Sequence, residues 1–360
     1  MLEEQRHGLS EAVRTLSPSY FAVVMATGTA SVGAGQIGLA LISWSLLWIA
    51  VAAYAALVVL TVWRLVAFRS EIVADFTRVR TGFAFFTFVA ATDVLAVRLI
   101  PALGTGLPSV LLAVAFAAWL VLEYAIPGGV VLSHPWHIDA LRDVNGTWFI
   151  WPVASQSVAL VAASLEPMTD VFAELLSIVA VLSWSIGVVL YGVIGVVMVV
   201  RMLTQGMPAG ELGPDYWVAM GAAAISVLSA SKLIEMTNMP MVAASRGMVA
   251  GVGVVLWSFA TWLIPALVGI GWWRHVAQRV PLRYESALWG MVFPLSMYGV
   301  ASLYLGRADR LPILGGIGAA GIWVALVVWC IVAVSMAAHV VHRLWPGDGF
   351  RRRPDAAARR

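Results

Sequence analysis

The sequence predicts an all-α integral membrane protein with ten transmembrane helices, and three observations carry that prediction. Hydrophobic residues make up 61% of the 360 residues and charged residues 11%, against about 25% charged in a soluble globular domain. Ten apolar segments alternate with polar connections, and roughly 20 apolar residues at 1.5 Å rise cross a ~30 Å hydrocarbon core. The basic residues divide unevenly between alternate connections, which is the mark of a chain oriented across a bilayer.

The first twenty residues, MLEEQRHGLSEAVRTLSPSY, carry charges of both signs and no apolar run. They do not read as a cleavable signal peptide, so insertion is expected to use the first span. Residues 1–18 read as a cytoplasmic N-terminal segment and 19–342 as the membrane domain. Residues 343–360, with RRRPDAAARR, read as a basic cytoplasmic tail near anionic lipid. The spans fall near 20–40, 42–66, 82–100, 107–126, 146–165, 172–200, 216–236, 247–273, 286–306 and 313–341. With the amino terminus inside, 17 of the 22 Lys and Arg face the cytoplasm. Five remain outside: Arg98, Lys232, Arg246, Arg307 and Arg310. Both termini are therefore expected in the cytoplasm and the chain in the cell membrane.

Short outer connections pair the spans as five helical hairpins. Each odd span opens on an aromatic residue and turns to small and hydroxylated residues one to two turns later. Phe21, Phe83, Trp148, Trp217 and Trp289 recur at intervals of 62, 65, 69 and 72. The even spans are rich in Val, Leu and Trp, as lipid-facing helices should be. The economical arrangement places odd helices inside, around a central pore, and even helices outside.

Thr27, Gly28, Thr29, Thr92, Ser155, Gln156, Ser226 and Ser296 are then candidates to line that pore. Small and hydroxylated residues equally serve close helix packing, and a lone Ser or Thr commonly bonds its own backbone; recurrence in all five odd spans is what favours a pathway. The ninth span carries Phe293-Pro294 and the fifth Pro152. A proline inside a helix removes a backbone hydrogen bond, which lipid does not tolerate unless protein or a water-filled cavity satisfies the freed carbonyl. A bulky ring at such a bend reads as a constriction, and Pro152 and Pro294 read as kinks. Intramembrane ionisable residues are functional candidates: Asp93 pairs with Arg98 or Lys232, or else it is a proton-linked group beneath an electropositive vestibule formed by those two cations. Glu123 and Glu285 read as solvated inner ends, and the single Cys330 as a small core residue.

All six histidines fall in inner connections or at inner helix ends. That excludes a bundle with facing axial haem ligands, and the pair His134 and His137 reads as part of a polar loop rather than a metal site. No phosphate loop, zinc motif or nucleophile beside a histidine and a carboxylate appears. Enzymatic chemistry, cofactors, metals and nucleic-acid partners are not expected. Hydroxyl and amide donors on uncharged walls favour partly dehydrated anions.

Three strings, PSYFAVVMATGTASVG, NGTWFIWPVASQSVAL and FPLSMYGVASLYLG, resemble the tellurite-resistance/dicarboxylate transporter family, related to slow-type anion channels, malate permeases and sulfite efflux pumps. The resemblance implies ten helices in five hairpins about a quasi-fivefold axis, a homotrimer, and a pore occluded by a phenylalanine of the ninth helix, here Phe293. The glycine of the family's first-span motif falls on Gly28, with Ala26 where Met-Gly-Thr-Gly is usual. The function implied is transport of small anions, C4-dicarboxylates, sulfite or chloride, through a pore gated by Phe293. The alternative is a proton-coupled C4-dicarboxylate carrier or sulfite exporter using Asp93.

Overall fold

The computed structural model describes residues 10–133, 138–236, 240–308 and 311–344. His7, His134, His137, Arg310 and residues 345–360 of the basic tail lie outside the described residues. Ten long helices follow one another: α1 (Ala22–Gln36), α2 (Ala40–Ala67), α3 (Phe86–Leu103), α4 (Gly106–Ser133), α5 (Ile150–Leu165), α6 (Ala173–Gln205), α7 (Val218–Glu235), α8 (Pro240–Trp272), α9 (Trp289–Ala308) and α10 (Pro312–Leu344). Among the described residues nine helices are long and apolar enough to cross a membrane, and these correspond to α2 through α10. Helix α1 has 15 residues, about 22 Å at 1.5 Å per residue.

Every odd helix is preceded by a 3-10 turn: Pro18–Phe21, Gly82–Phe85, Gly146–Phe149, Pro214–Trp217 and Ser286–Leu288. The turn ahead of α1 adds about 8 Å at ~2.0 Å per residue, which brings that segment to roughly the thickness of the hydrocarbon core. An aromatic residue ends the 3-10 turn ahead of α1, α3, α5 and α7, Phe21, Phe85, Phe149 and Trp217, and another, Trp289, opens α9 directly after its turn; these five mark the changeover. Those five residues give the internal repeat a common origin.

Packing separates the two sets of helices. Each odd helix packs against the even helix that follows it, and also against its odd neighbours in the order α1, α3, α5, α7, α9 and back to α1. The odd helices thus close a ring. Their apolar windows are 72 to 89% buried from α3 to α9, whereas those of the even helices are 17 to 28% buried. Leu, Val and Trp exposed on the even helices, such as Trp48, Val121, Val196, Trp262 and Val327, form the outer surface, as lipid requires.

Glycine sets the spacing between α9 and α10. A Cβ on Gly299 would lie 2.9 Å from the Ile322 backbone nitrogen and 3.0 Å from the Gly318 carbonyl oxygen. The two backbones approach that closely only because neither Gly299 nor Gly318 has a side chain.

Three expectations are corrected, and one connection proves to hold a helix. Helix α4 runs through Pro127 to Ser133, so Glu123 is half-buried within a helix rather than solvated at its end. Helix α8 starts at Pro240, well before 247, because proline is well suited to a first helical turn. The polar connection after α2 contains a short helix, Arg69–Thr77, tied back by an Asp75–Arg64 ion pair of 2.7 Å. Cys330 is exposed on α10 and not part of the core.

Replacing Gly299 by Val should lower the unfolding midpoint in detergent by the equivalent of about 1–3 kcal/mol, the usual cost of overpacking. An unchanged midpoint would mean that α9 and α10 separate without loss.

Candidate functional site: the interior of the odd-helix ring

Counting from the aromatic at each changeover places equivalent residues of the five odd helices on one scale. Four residues on stand Met25, Val89, Val153, Gly221 and Phe293; eight on stand Thr29, Asp93, Ser157, Ile225 and Met297. These positions differ by only about 40° at 100° per residue, so they share a helix face. Contacts show that this face meets neighbouring odd helices. A Cβ on Gly221 would come 3.2 Å from Phe293 Cε1 and 2.8 Å from Pro294 Cγ, and the Ser157 hydroxyl lies 2.7 Å from Asp93 Oδ2. Pro294, with the edge of the Phe293 ring, fills the space that the missing side chain of Gly221 leaves. Both levels are buried: Met25, Val89, Val153 and Phe293 are at most 1% exposed, and Thr29, Asp93, Ser157, Ile225 and Met297 at most 2%.

Pro294 lies in the second turn of α9, where its missing N–H leaves the Gly290 carbonyl without its usual helical donor. Pro152 behaves differently from expectation. It is the third residue of α5, directly after the 3-10 turn, where the N–H of an α-helix has no standard partner. It marks a helix start and does not split the span.

Thr27, Thr92 and Ser155, six or seven residues after the changeover, turn their hydroxyls toward the outer helices, and α7 and α9 receive such contacts further along, at Ser226 and Ser302. The Trp329 indole donates to Thr27 Oγ1 at 2.9 Å and the Trp119 indole to Ser155 Oγ at 3.0 Å, while Tyr54 and Thr92 share a 2.8 Å hydrogen bond. Trp184 donates to the Ser226 carbonyl at 3.1 Å, and Trp257 to Ser302 Oγ at 2.9 Å. One aromatic from every even helix therefore bonds to the odd helix of the next pair, from α2 to α3 around to α10 and α1. Sequence reasoning missed this fivefold set, although one mid-span Trp or Tyr per even segment was its signal.

Thr27, Thr92 and Ser155, expected in the pathway, thus commit their hydroxyls to contacts with the outer helices. Thr29 donates to its own turn at Met25 O, 2.7 Å, and Ser226 to Ala222 O, 2.7 Å. Gly28 packs α1 against α3, since a Cβ there would be 2.6 Å from Val94 Cγ1. Gln156 donates Nε2 to the Trp184 carbonyl at 3.0 Å, but its Oε1 is buried without a hydrogen-bond partner, as are Ser296 Oγ and Asp93 Oδ1. These three unpartnered polar atoms, on α5, α9 and α3, come from the predicted set.

Asp93 pairs with neither expected cation. Arg98 donates to Ser31 Oγ at 2.9 Å and Ser43 Oγ at 3.0 Å and lies over the Trp44 ring, which fastens α3 to α1 and α2. Lys232 bonds Glu235 at 2.6 Å and lies 4.7 Å from the centroid of the Tyr304 ring. Of the expected vestibule pair, Lys232 alone stands near the mouth of the ring. An apolar groove of about 660 Å³ between α6 and α8, lined by Gly192, Gly195 and Trp262 among others, opens on the outer surface and is no part of this interior.

A ring of buried helices sheathed in apolar ones defines a polytopic helical membrane protein. The chain is matched over residues 15–337 by the family model of the SLAC1 voltage-dependent anion channels, and it belongs to that family. These are anion channels and transporters, not enzymes, and the chain accordingly serves anion transport across a membrane. It is also similar to two mycobacterial proteins, the uncharacterized membrane protein MT1776 of Mycobacterium tuberculosis strain CDC 1551 and the uncharacterized membrane protein Rv1735c of strain H37Rv. Each is 50% identical over 151 residues, covering 42% of this chain and 77% of the relative.

Arg98→Gln removes charge-assisted bonds that join three helices. Its unfolding midpoint in detergent should fall by the equivalent of on the order of 2 kcal/mol, with the ranking of transported anions unchanged; a changed ranking would return Arg98 to the pathway.

Proposed function

We propose that the protein is a conduit for small anions, with its path along the axis of the odd-helix ring and Phe293 as the gate. The observation that carries this reading is the fit of the buried Phe293 ring against Gly221. Gly221, on the adjacent helix α7, lets the Phe293-Pro294 pair pack closely at this level, and in this reading the Phe293 ring seals the axis and its rotation opens it. The unpartnered Ser296 Oγ lies beside the same level, and the Ser157 hydroxyl one turn beyond it. In this reading all ten helices span the membrane as five hairpins, with both termini in the cytoplasm, and three copies assemble in the cell membrane. Chloride, sulfite and C4-dicarboxylates such as malate are the substrates to test.

Phe293→Ala should raise anion flux into proteoliposomes by about tenfold or more, since the apolar plug is the barrier that it removes. A folded variant with wild-type flux would count against the gate.

One observation favours a second reading, a proton-coupled carrier. Asp93 lies one turn from the gate at 1% exposure, hydrogen-bonded to Ser157 and without a cationic partner among the described residues. A carboxyl group there repels anions when ionised and can donate to them when protonated. Asp93→Asn separates the readings: a carrier loses its dependence on a pH gradient, and a channel keeps passing anions with or without one.

A further inference from the structure

The mouth of the ring at the carboxyl-terminal ends of the odd helices carries a group of residues with no role in the gate. Fifteen residues after the changeover stand Gln36 on α1, Lys232 on α7 and Tyr304 on α9. That is eleven residues beyond the level of Phe293, about 20° away on the same face. The three meet: Gln36 Nε2 donates to the Tyr304 hydroxyl at 3.4 Å, and Lys232 Nζ is 4.7 Å from the Tyr304 ring centroid. Arg307, one turn further along α9, adds a second cation over the same ring at 5.6 Å and donates to Gln36 Oε1.

Two like charges gathered on one aromatic ring repel each other, and only Glu235, 2.6 Å from Lys232, offsets them among the described residues. The ring face attracts each cation. Helix ends explain part of the arrangement, because Lys232 and Arg307 stand in the last turns of α7 and α9, where cations favour the macrodipole. A helix-end role alone does not require both side chains to converge on Tyr304 from different helices. Each cation makes a single charged or amide hydrogen bond among the described residues, which leaves N–H donors over. The carbonyl ends of the odd helices also gather at this mouth, and they would turn an anion away. Two cations reverse that sign.

We propose that Lys232 and Arg307, held on Tyr304, form an anion-docking site at this mouth, where small carboxylate or inorganic anions are collected before the axis. The proposal rests on the conduit reading and extends it to a second site some 16 Å along α9 from Phe293, at ~1.5 Å per residue. A divalent anion gains more than a monovalent one from such a site, as Coulomb's law requires.

The test is initial flux of malate and chloride at sub-saturating concentration and low ionic strength, in proteoliposomes holding the Phe293→Ala protein. Added Lys232→Gln or Arg307→Gln should lower the malate rate by about threefold or more, and the chloride rate by less. Glu235→Gln should raise both, and high salt should erase the differences. Lys232→Arg and Arg307→Lys keep the charge and should keep the rates. Equal rates throughout, or a loss in the charge-keeping variants as large as in the neutral ones, would overturn the docking site. If the Phe293→Ala protein carries no anion, the conduit reading fails by itself. Calorimetric titration of malate into the purified full-length protein then decides the site: binding lost in the Lys232→Gln/Arg307→Gln double variant sustains it, and equal binding overturns it.

Discussion

The constraint on which the rest of the structure depends is that polar groups surrounded by lipid must be satisfied within the protein. The five aromatic bonds from even to odd helices meet it directly. Tyr54, Trp119, Trp184, Trp257 and Trp329 each carry one polar atom into the bundle and find a hydroxyl or carbonyl on the odd helix of the next pair. Because the last of these joins α10 to α1, the set has no free end. The ring of odd helices is closed by its sheath as well as by its own contacts.

The odd helices themselves hold buried polar side-chain atoms that no neighbour satisfies, on α3, α5 and α9. Asp93 Oδ1, Gln156 Oε1 and Ser296 Oγ are buried without partners in the same protein that satisfies its lateral hydroxyls. Buried polar groups are seldom left so; in the conduit reading proposed above, a passing anion with its water would supply what they lack. Phe293 obeys the same economy of space, since the edge of its ring, with Pro294, occupies the volume that Gly221 leaves open. In the proposed gate, such an apolar ring would block an ion by dewetting rather than by charge.

Much of the fold is legible in the sequence because a bilayer imposes length and hydropathy on each span, and nine of the expected segments coincide with helices that satisfy both. Helix ends near prolines are less so: the fourth span is expected to end near 126 and the helix runs on through Pro127, while Pro240 starts a helix seven residues ahead of the apolar run. The site is legible in kind but not in direction. Aromatic residues alone start the repeat at Phe83 and Trp148, whereas the changeovers fall at Phe85 and Phe149. At 100° per residue, a displacement of two residues turns a helix face by about 200°. The displacement is two residues at Phe83 and one at Trp148, and there is none at Phe21. Composition also does not say which face of a helix a hydroxyl takes, so Thr27 and Ser155 read as pathway residues while they meet Trp329 and Trp119 instead, and Ser157 escapes notice. The contacts of Phe293 have no such ambiguity, since the Phe-Pro pair in an apolar span marks itself.

The most direct test of the ring is the direction of its hydroxyls. In a protein made thiol-free by Cys330→Ala and opened by Phe293→Ala, single Cys replacements of Thr29, Ser157, Thr27 and Ser155 would be exposed to a charged, membrane-impermeant thiol reagent. Modification of Thr29→Cys and Ser157→Cys, with Thr27→Cys and Ser155→Cys protected, is the expected result. Equal modification of all four, or of the Thr27 and Ser155 positions alone, would contradict a path along the interior face on which Phe293 lies.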